Sequence, residues 1–254
     1  MNPRPDAPPN PEDAKPFLDH LEEFRQAVIK SAIALAVGVA IAFPFAPQIL
    51  GLLKAPLADI VEDPDAFLMS VEVTGAFTVA LRVALWAGLL VAVPFLVYFI
   101  GGFIAPGLKP REKQMIVKSA GFAIALFFMG VSLGYFVTLP VALKMMFGLH
   151  EWLGIRAMPT MTSYVAFSIQ LLIGFGLAFQ MPVIVLILGK LGILSSLQLR
   201  QSRRYVIVLL LVVAMILTPP DIFTQLIMAV PLIILFELCI WILRASEKKG
   251  ASET

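Results

Sequence analysis

Residues 76–113 read AFTVALRVALWAGLLVAVPFLVYFIGGFIAPGLKPREK. Up to Phe103 the only charge is Arg82, and then comes a Pro-rich turn, Phe103 to Lys113, with Lys109, Arg111, Lys113 and one carboxylate, Glu112. An apolar helix of about 20 residues, rising about 1.5 Å per residue, crosses a bilayer core of about 30 Å. The stretch therefore reads as a membrane-spanning helix that delivers the chain into a basic turn. A lone acid in such a turn has two readings. It is a solvated charge balancing its basic neighbours, or it waits for a cationic ligand.

Working outward, the same pattern repeats. Spans are predicted over residues 27–45, ending at Pro44 and Pro47, then 76–103 with Pro94 interrupting, and 115–139, ending at Pro140. A fourth covers 164–188, with Gln180 and Pro182 in its second half. The last two are unlike the others: 205–217 offers thirteen residues before Thr218-Pro219-Pro220-Asp221, and 222–243 is broken by Pro231 and carries Glu237. The expected fold class is an all-α integral membrane protein with six transmembrane helices, the fifth and sixth short. At 59% hydrophobic and 14% charged residues, with a mean hydropathy of +0.92, the chain is too apolar for a soluble domain of its length. Continuous apolar runs, rather than alternation in period two, exclude a transmembrane barrel.

Residues 1–15 hold five prolines with Asn, Asp and Glu and read as a flexible tail without signal-peptide character. The membrane domain is expected over 16–244, with a second tail over 245–254. Pro16 to Arg25, PFLDHLEEFR, is amphipathic, with Phe17, Leu21 and Phe24 on one face, and is expected at the membrane surface. An acidic segment over 48–75 looks like a short surface helix and a cap. When the compartments alternate, all of the nineteen Lys and Arg residues except Lys54, Arg82, Lys144 and Arg156 fall on one side. The positive-inside rule makes that side cytoplasmic, so both termini are expected inside (N-in/C-in). Glu23 and Glu112 then share the cytoplasmic side, each beside a membrane entry point.

Several functions are disfavoured. A net charge of +2 is too small to imply nucleic acid. Cys239 is the single cysteine, and His20 and His150 lie far apart without metal-ligand spacing, so neither metal nor cofactor is expected. An intramembrane enzyme needs a nucleophile with a base or a metal, and a secondary transporter commonly shows repeated halves. The sequence has neither feature. Neither intramembrane catalysis nor secondary transport is expected.

HLEEFR at His20 to Arg25, KAPL at Lys54 to Leu57, FIAPGL at Phe103 to Leu108 with Glu112 beyond it, and LTPPD at Leu217 to Asp221 followed by Phe223 and Gln225 occur in this order. Together they resemble the TatC family, the six-span core of the twin-arginine protein translocase, from about Pro16 to Arg244. The resemblance implies a concave bundle in a bacterial inner membrane and a receptor for twin-arginine signal peptides of folded cargo. It also implies single-span TatA/TatB-type partners, a homo-oligomeric complex and use of the proton-motive force.

Carried over by motif, Glu23 and Glu112 engage the arginine pair. Phe103 and Leu108 supply apolar contact, and Arg25 orients Glu23 or anchors lipid phosphate. Met215, Thr218 and Gln225 flank the turn at Asp221 and receive partner helices, although an internal contact would satisfy them equally. Pro56 and Tyr135 are structural. Gln180 replaces a glutamate found in many family members and reads either as an interhelical hydrogen bond or as a polar group in a cavity. Glu237 is expected to pair with Arg244. The charge pattern also predicts a labelling result in a Cys239→Ala background. Trp152→Cys reacts with a membrane-impermeant thiol reagent added outside intact cells, and Arg200→Cys does not.

Overall fold

The computed structural model describes residues 17–104, 110–190, 192–217 and 222–252. Eleven α-helices occur among them: α1 Phe17–Ala42, α2 Ala46–Ala58, α3 Pro64–Phe67, α4 Gly75–Ile104, α5 Pro110–Leu133, α6 Leu139–Trp152, α7 Met161–Ala178, α8 Met181–Lys190, α9 Ser196–Gln201, α10 Arg203–Leu217 and α11 Ile222–Ser252. The only β pairing among the described residues is one bridge, Met69 to Thr160. Five helical stretches are long and apolar enough to cross a membrane: His20–Ala58, Gly75–Phe103, Ser119–Trp152, Met161–Gly189 and Gln225–Ala245. At 15 residues, α10 is shorter than any of them.

Proline behaves differently at different places. A 3-10 turn over Phe43–Phe45 separates α1 from α2, as Pro44 and Pro47 predict. Pro94 and Pro231, expected to interrupt spans, lie inside continuous helices. Pro140 does not end the third span either. A five-residue π turn, Gly134–Thr138, precedes α6 and places Pro140 in a first turn, where its missing N–H is harmless. The helical path therefore continues to Trp152. Residues 17–25 form one helix with the first span rather than a separate surface helix. The last helix is long, not short. Its 31 residues run past position 244, so the expected boundary of the C-terminal tail falls inside a helix.

Helices α1 and α4 meet backbone to backbone. A Cβ on Gly38 would lie 2.5 Å from the Gly88 carbonyl oxygen, and one on Gly88 would lie 2.5 Å from the Val39 nitrogen. No side chain fits between these backbones. In lipid, where apolar surface gains little from being hidden, such close backbone packing is a main source of helix association. Gly130 and Gly176 play the same part for α5 and α7, where added Cβ atoms would meet the Phe175 carbonyl oxygen at 2.7 Å and the Phe127 ring at 2.7 Å. Between these pairs lies a core of fully buried residues that includes Val83, Leu139, Val165, Leu172 and Phe175, with Leu53 and Leu57 of α2 above it and Phe236 of α11 beside it.

Substituting Gly38→Leu should separate α1 from α4. Overpacking of this kind costs about 1–3 kcal/mol. A lower unfolding temperature for the purified variant in detergent, with Gly51→Leu near wild type because nothing lies within 4 Å of a Cβ there, is the expected result.

Candidate peptide-binding face

The α1 to α4 contact decides what the start of α1 can touch. Near the far end of α4, the Phe103 ring stacks on His20 at a centroid distance of 4.7 Å and meets Phe24 at 5.5 Å. His20 and Phe24 are one helical turn apart, so they close on Phe103 from the same face of α1. Glu23 lies between them in sequence, one third exposed, with its Oε2 3.7 Å from His20 Nδ1. The structure thus joins two of the expected residues, Glu23 and Phe103, in a carboxylate beside an aromatic cluster. His20 and Phe24 were not among the expected contacts. Their signal was present in HLEEFR, whose first and fifth positions bracket the acid.

Arg25 does not orient Glu23. Its Nη2 pairs with Glu22 Oε1 at 2.9 Å, both side chains well exposed. The i, i+3 spacing brings those two onto one face, whereas Glu23 lies against His20, three residues before it. Glu112 belongs to the first turn of α5, which begins six residues after α4 ends. Its side chain lies outside the described residues, as do Leu108, Thr218 and Asp221.

The other expected residues fall into helix-to-helix ties. Gln180 sits at the break between α7 and α8 and donates through Nε2 to the Ala123 carbonyl of α5 at 3.1 Å, which is the interhelical hydrogen bond of its two readings. Gln225 donates to the Leu211 carbonyl at 2.9 Å, the internal contact between α10 and α11. Met215, on α10, remains 50% exposed. Glu237 pairs not with Arg244 on its own helix but with Arg203 at the start of α10, Nη2 to Oε2 2.7 Å. Sequence spacing within one helix pointed to Arg244; the partner came from a neighbouring helix that spacing does not register.

Pro56 and Tyr135 explain each other. Pro56, inside α2, has no N–H to give the Leu52 carbonyl four residues earlier, and the Tyr135 hydroxyl donates to that carbonyl at 2.7 Å. Tyr164 does the same for the Leu53 carbonyl at 2.7 Å. Two tyrosines from the helical stretches beneath it thereby hold α2. Lys54 pairs with Asp65, and Asp63 caps α3 by accepting from the Asp65 and Ala66 amides at 2.9 and 3.1 Å. These contacts fix the cap.

A multi-pass helical membrane protein with an acidic residue set in an aromatic cluster at one end of the bundle is what the fold and the site define. Comparison with known proteins narrows the class. Residues 19–231 match the family model described as Sec-independent protein translocase protein (TatC). The chain is 37% identical over 242 residues to the TatC of Magnetococcus marinus, spanning 95% of this chain and 89% of that one. Against the TatC of Escherichia coli K12 it is 32% identical over 240 residues, spanning 94% and 92%. A crystal structure described as the twin-arginine translocase receptor TatC in DDM superposes with a TM-score of 0.80 at 34% identity, covering 88% of this chain and 98% of that one. The chain belongs to the TatC family of Sec-independent protein translocases.

Removing the Tyr135 hydroxyl tests the account of the cap. Tyr135→Phe leaves the Leu52 carbonyl without its donor and should destabilise the protein by about 1 kcal/mol. Pairing it with Pro56→Ala, which supplies an N–H for that carbonyl, should recover part of the loss in detergent unfolding curves.

Proposed function

We propose that the chain is a receptor for twin-arginine signal peptides, which dock on the cytoplasmic face where α1 begins and α4 ends. The observation that carries this reading is Glu23 beside His20, whose ring stacks on Phe103, itself in contact with Phe24. A carboxylate accepts the two parallel N–H groups of a guanidinium, and such charge-assisted bonds are about twice as strong as neutral ones. Lysine, a point charge, makes no fork. The rings supply a flat apolar surface on which a guanidinium stacks. Glu112, one short connection further along the chain, is the second carboxylate, so each arginine of the pair has an acceptor. Leu108 adds apolar contact.

The same reading gives the remaining parts their roles. Both termini face the cytoplasm, and α10 is a sixth crossing of an inner membrane that thins around its 15 residues. Met215, Thr218 and Gln225 mark the side at which single-span TatA/TatB-type helices gather, with several copies of the chain in one complex. No nucleotide-binding motif is present in the sequence, and the proton-motive force supplies the energy for passage of folded cargo.

Affinity of the purified full chain for a twin-arginine peptide and its twin-lysine variant is the test. The lysine variant should bind about tenfold more weakly, the loss expected when charge-assisted forked bonds become single ones. Glu23→Ala and Glu112→Ala should each abolish that preference. Equal binding of the two peptides by the wild-type protein would sink the reading.

A further inference from the structure

Arg82 takes no part in the peptide site, yet it is the only charge between Ala76 and Phe103. It sits about 10 Å along α4 from Gly75. An ionised group in a spanning helix requires a polar or anionic neighbour. Within the chain it finds little: Nη1 reaches the Thr162 carbonyl oxygen at 3.5 Å, the long limit of a hydrogen bond, and it joins none of the ion pairs among the described residues. The side chain is exposed. That one contact draws the guanidinium toward the cap end, to the level where α7 begins.

The surroundings there are suited to one kind of molecule. A Cβ on Gly75 would lie 2.9 Å from Ser70 Oγ and 3.8 Å from Thr162 Oγ1, so two hydroxyls stand over the start of α4. Beside them opens an almost wholly apolar cavity of 310 Å³, lined among others by Ala46, Leu50, Gly75, Val79 and Ala80. Gly75, Val79 and Arg82 follow one another at i, i+4 and i+7 and so share a stripe of α4 that links the cavity to the guanidinium. Glu72, exposed on the turn before α4, forms no ion pair with Arg82.

We propose that this is a phospholipid site. The headgroup phosphate sits on Arg82, with the Ser70 and Thr162 hydroxyls as further donors, and one acyl chain fills the cavity. A guanidinium and a phosphate pair through two parallel hydrogen bonds. Diacylglycerol offers the chain without the anion, and inorganic phosphate offers the anion without the chain. The site is independent of the signal-peptide reading, since it lies at the opposite end of α4.

The experiment is native mass spectrometry of the delipidated full chain in detergent, titrated with dioleoyl phosphatidylglycerol, dioleoylglycerol or inorganic phosphate. Phosphatidylglycerol should bind about tenfold more tightly than dioleoylglycerol, and Arg82→Gln should lose about that factor. Arg82→Lys should fall between. Ala76→Phe, at an exposed residue on the rim of the cavity, should weaken phosphatidylglycerol with Arg82 intact. Equal binding of the two lipids, unchanged binding by Arg82→Gln, or displacement of the lipid by inorganic phosphate at equal concentration overturns the proposal. If Arg82→Gln does not fold, Ala76→Phe decides alone, and wild-type binding by that variant overturns it.

Discussion

At Gly38 and Gly88 the backbones of α1 and α4 touch with nothing between them. Neither helix can rotate there without driving a side chain into the other's main chain, because even one added carbon would sit 2.5 Å from backbone atoms. Fixing the rotation at mid-helix fixes it at the ends. About four to five turns toward the N-terminus from Gly38, the same face of α1 presents Phe24 and His20 to Phe103. A site formed where these two helices meet is held in register by contact at a distance from it.

Elsewhere the structure uses polar atoms where helices are irregular. The proline in α2 frees a carbonyl that Tyr135 takes up. The break between α7 and α8 is spanned by Gln180 reaching α5. The short α10 is tied at its start by Arg203 to Glu237 and along its length by Gln225 to Leu211. In the apolar part of a bilayer an unmatched backbone group has no water to turn to. Each of these bonds joins two different helical segments, so local irregularity is converted into contacts between helices.

This explains which parts were legible in the sequence. Membrane character, the approximate place of most spans and the break at Pro44 follow from composition and local stereochemistry, and the motif order was enough to suggest the family. Glu23 and Phe103 could be paired because both lie in recognisable motifs. Glu237 could not be given its partner, since the choice between Arg203 and Arg244 depends on how α10 is laid against α11, and Gly38 was silent because a glycine in an apolar run looks the same whether it touches lipid or backbone. Pro94, Pro140 and Pro231 misled for the converse reason. Local rules penalise proline in a helix, but membrane-spanning helices tolerate it, and the wider turn before Pro140 places that residue where no N–H is needed.

Glu247, near the end of α11, accepts from the Ser196 amide at 2.8 Å and from the Ser196 hydroxyl, closing the first turn of α9. That turn lies in the connection between α8 and α10, made some fifty residues earlier in the chain. Order along the chain then becomes order of assembly. During synthesis α9 and α10 leave the ribosome without Glu247, Glu237 or Gln225, and these three ties cannot form until α11 follows. A helix translated after α10 is therefore the one that locks this half of the molecule, and a nascent chain halted after α10 holds α9 and α10 without these fastenings.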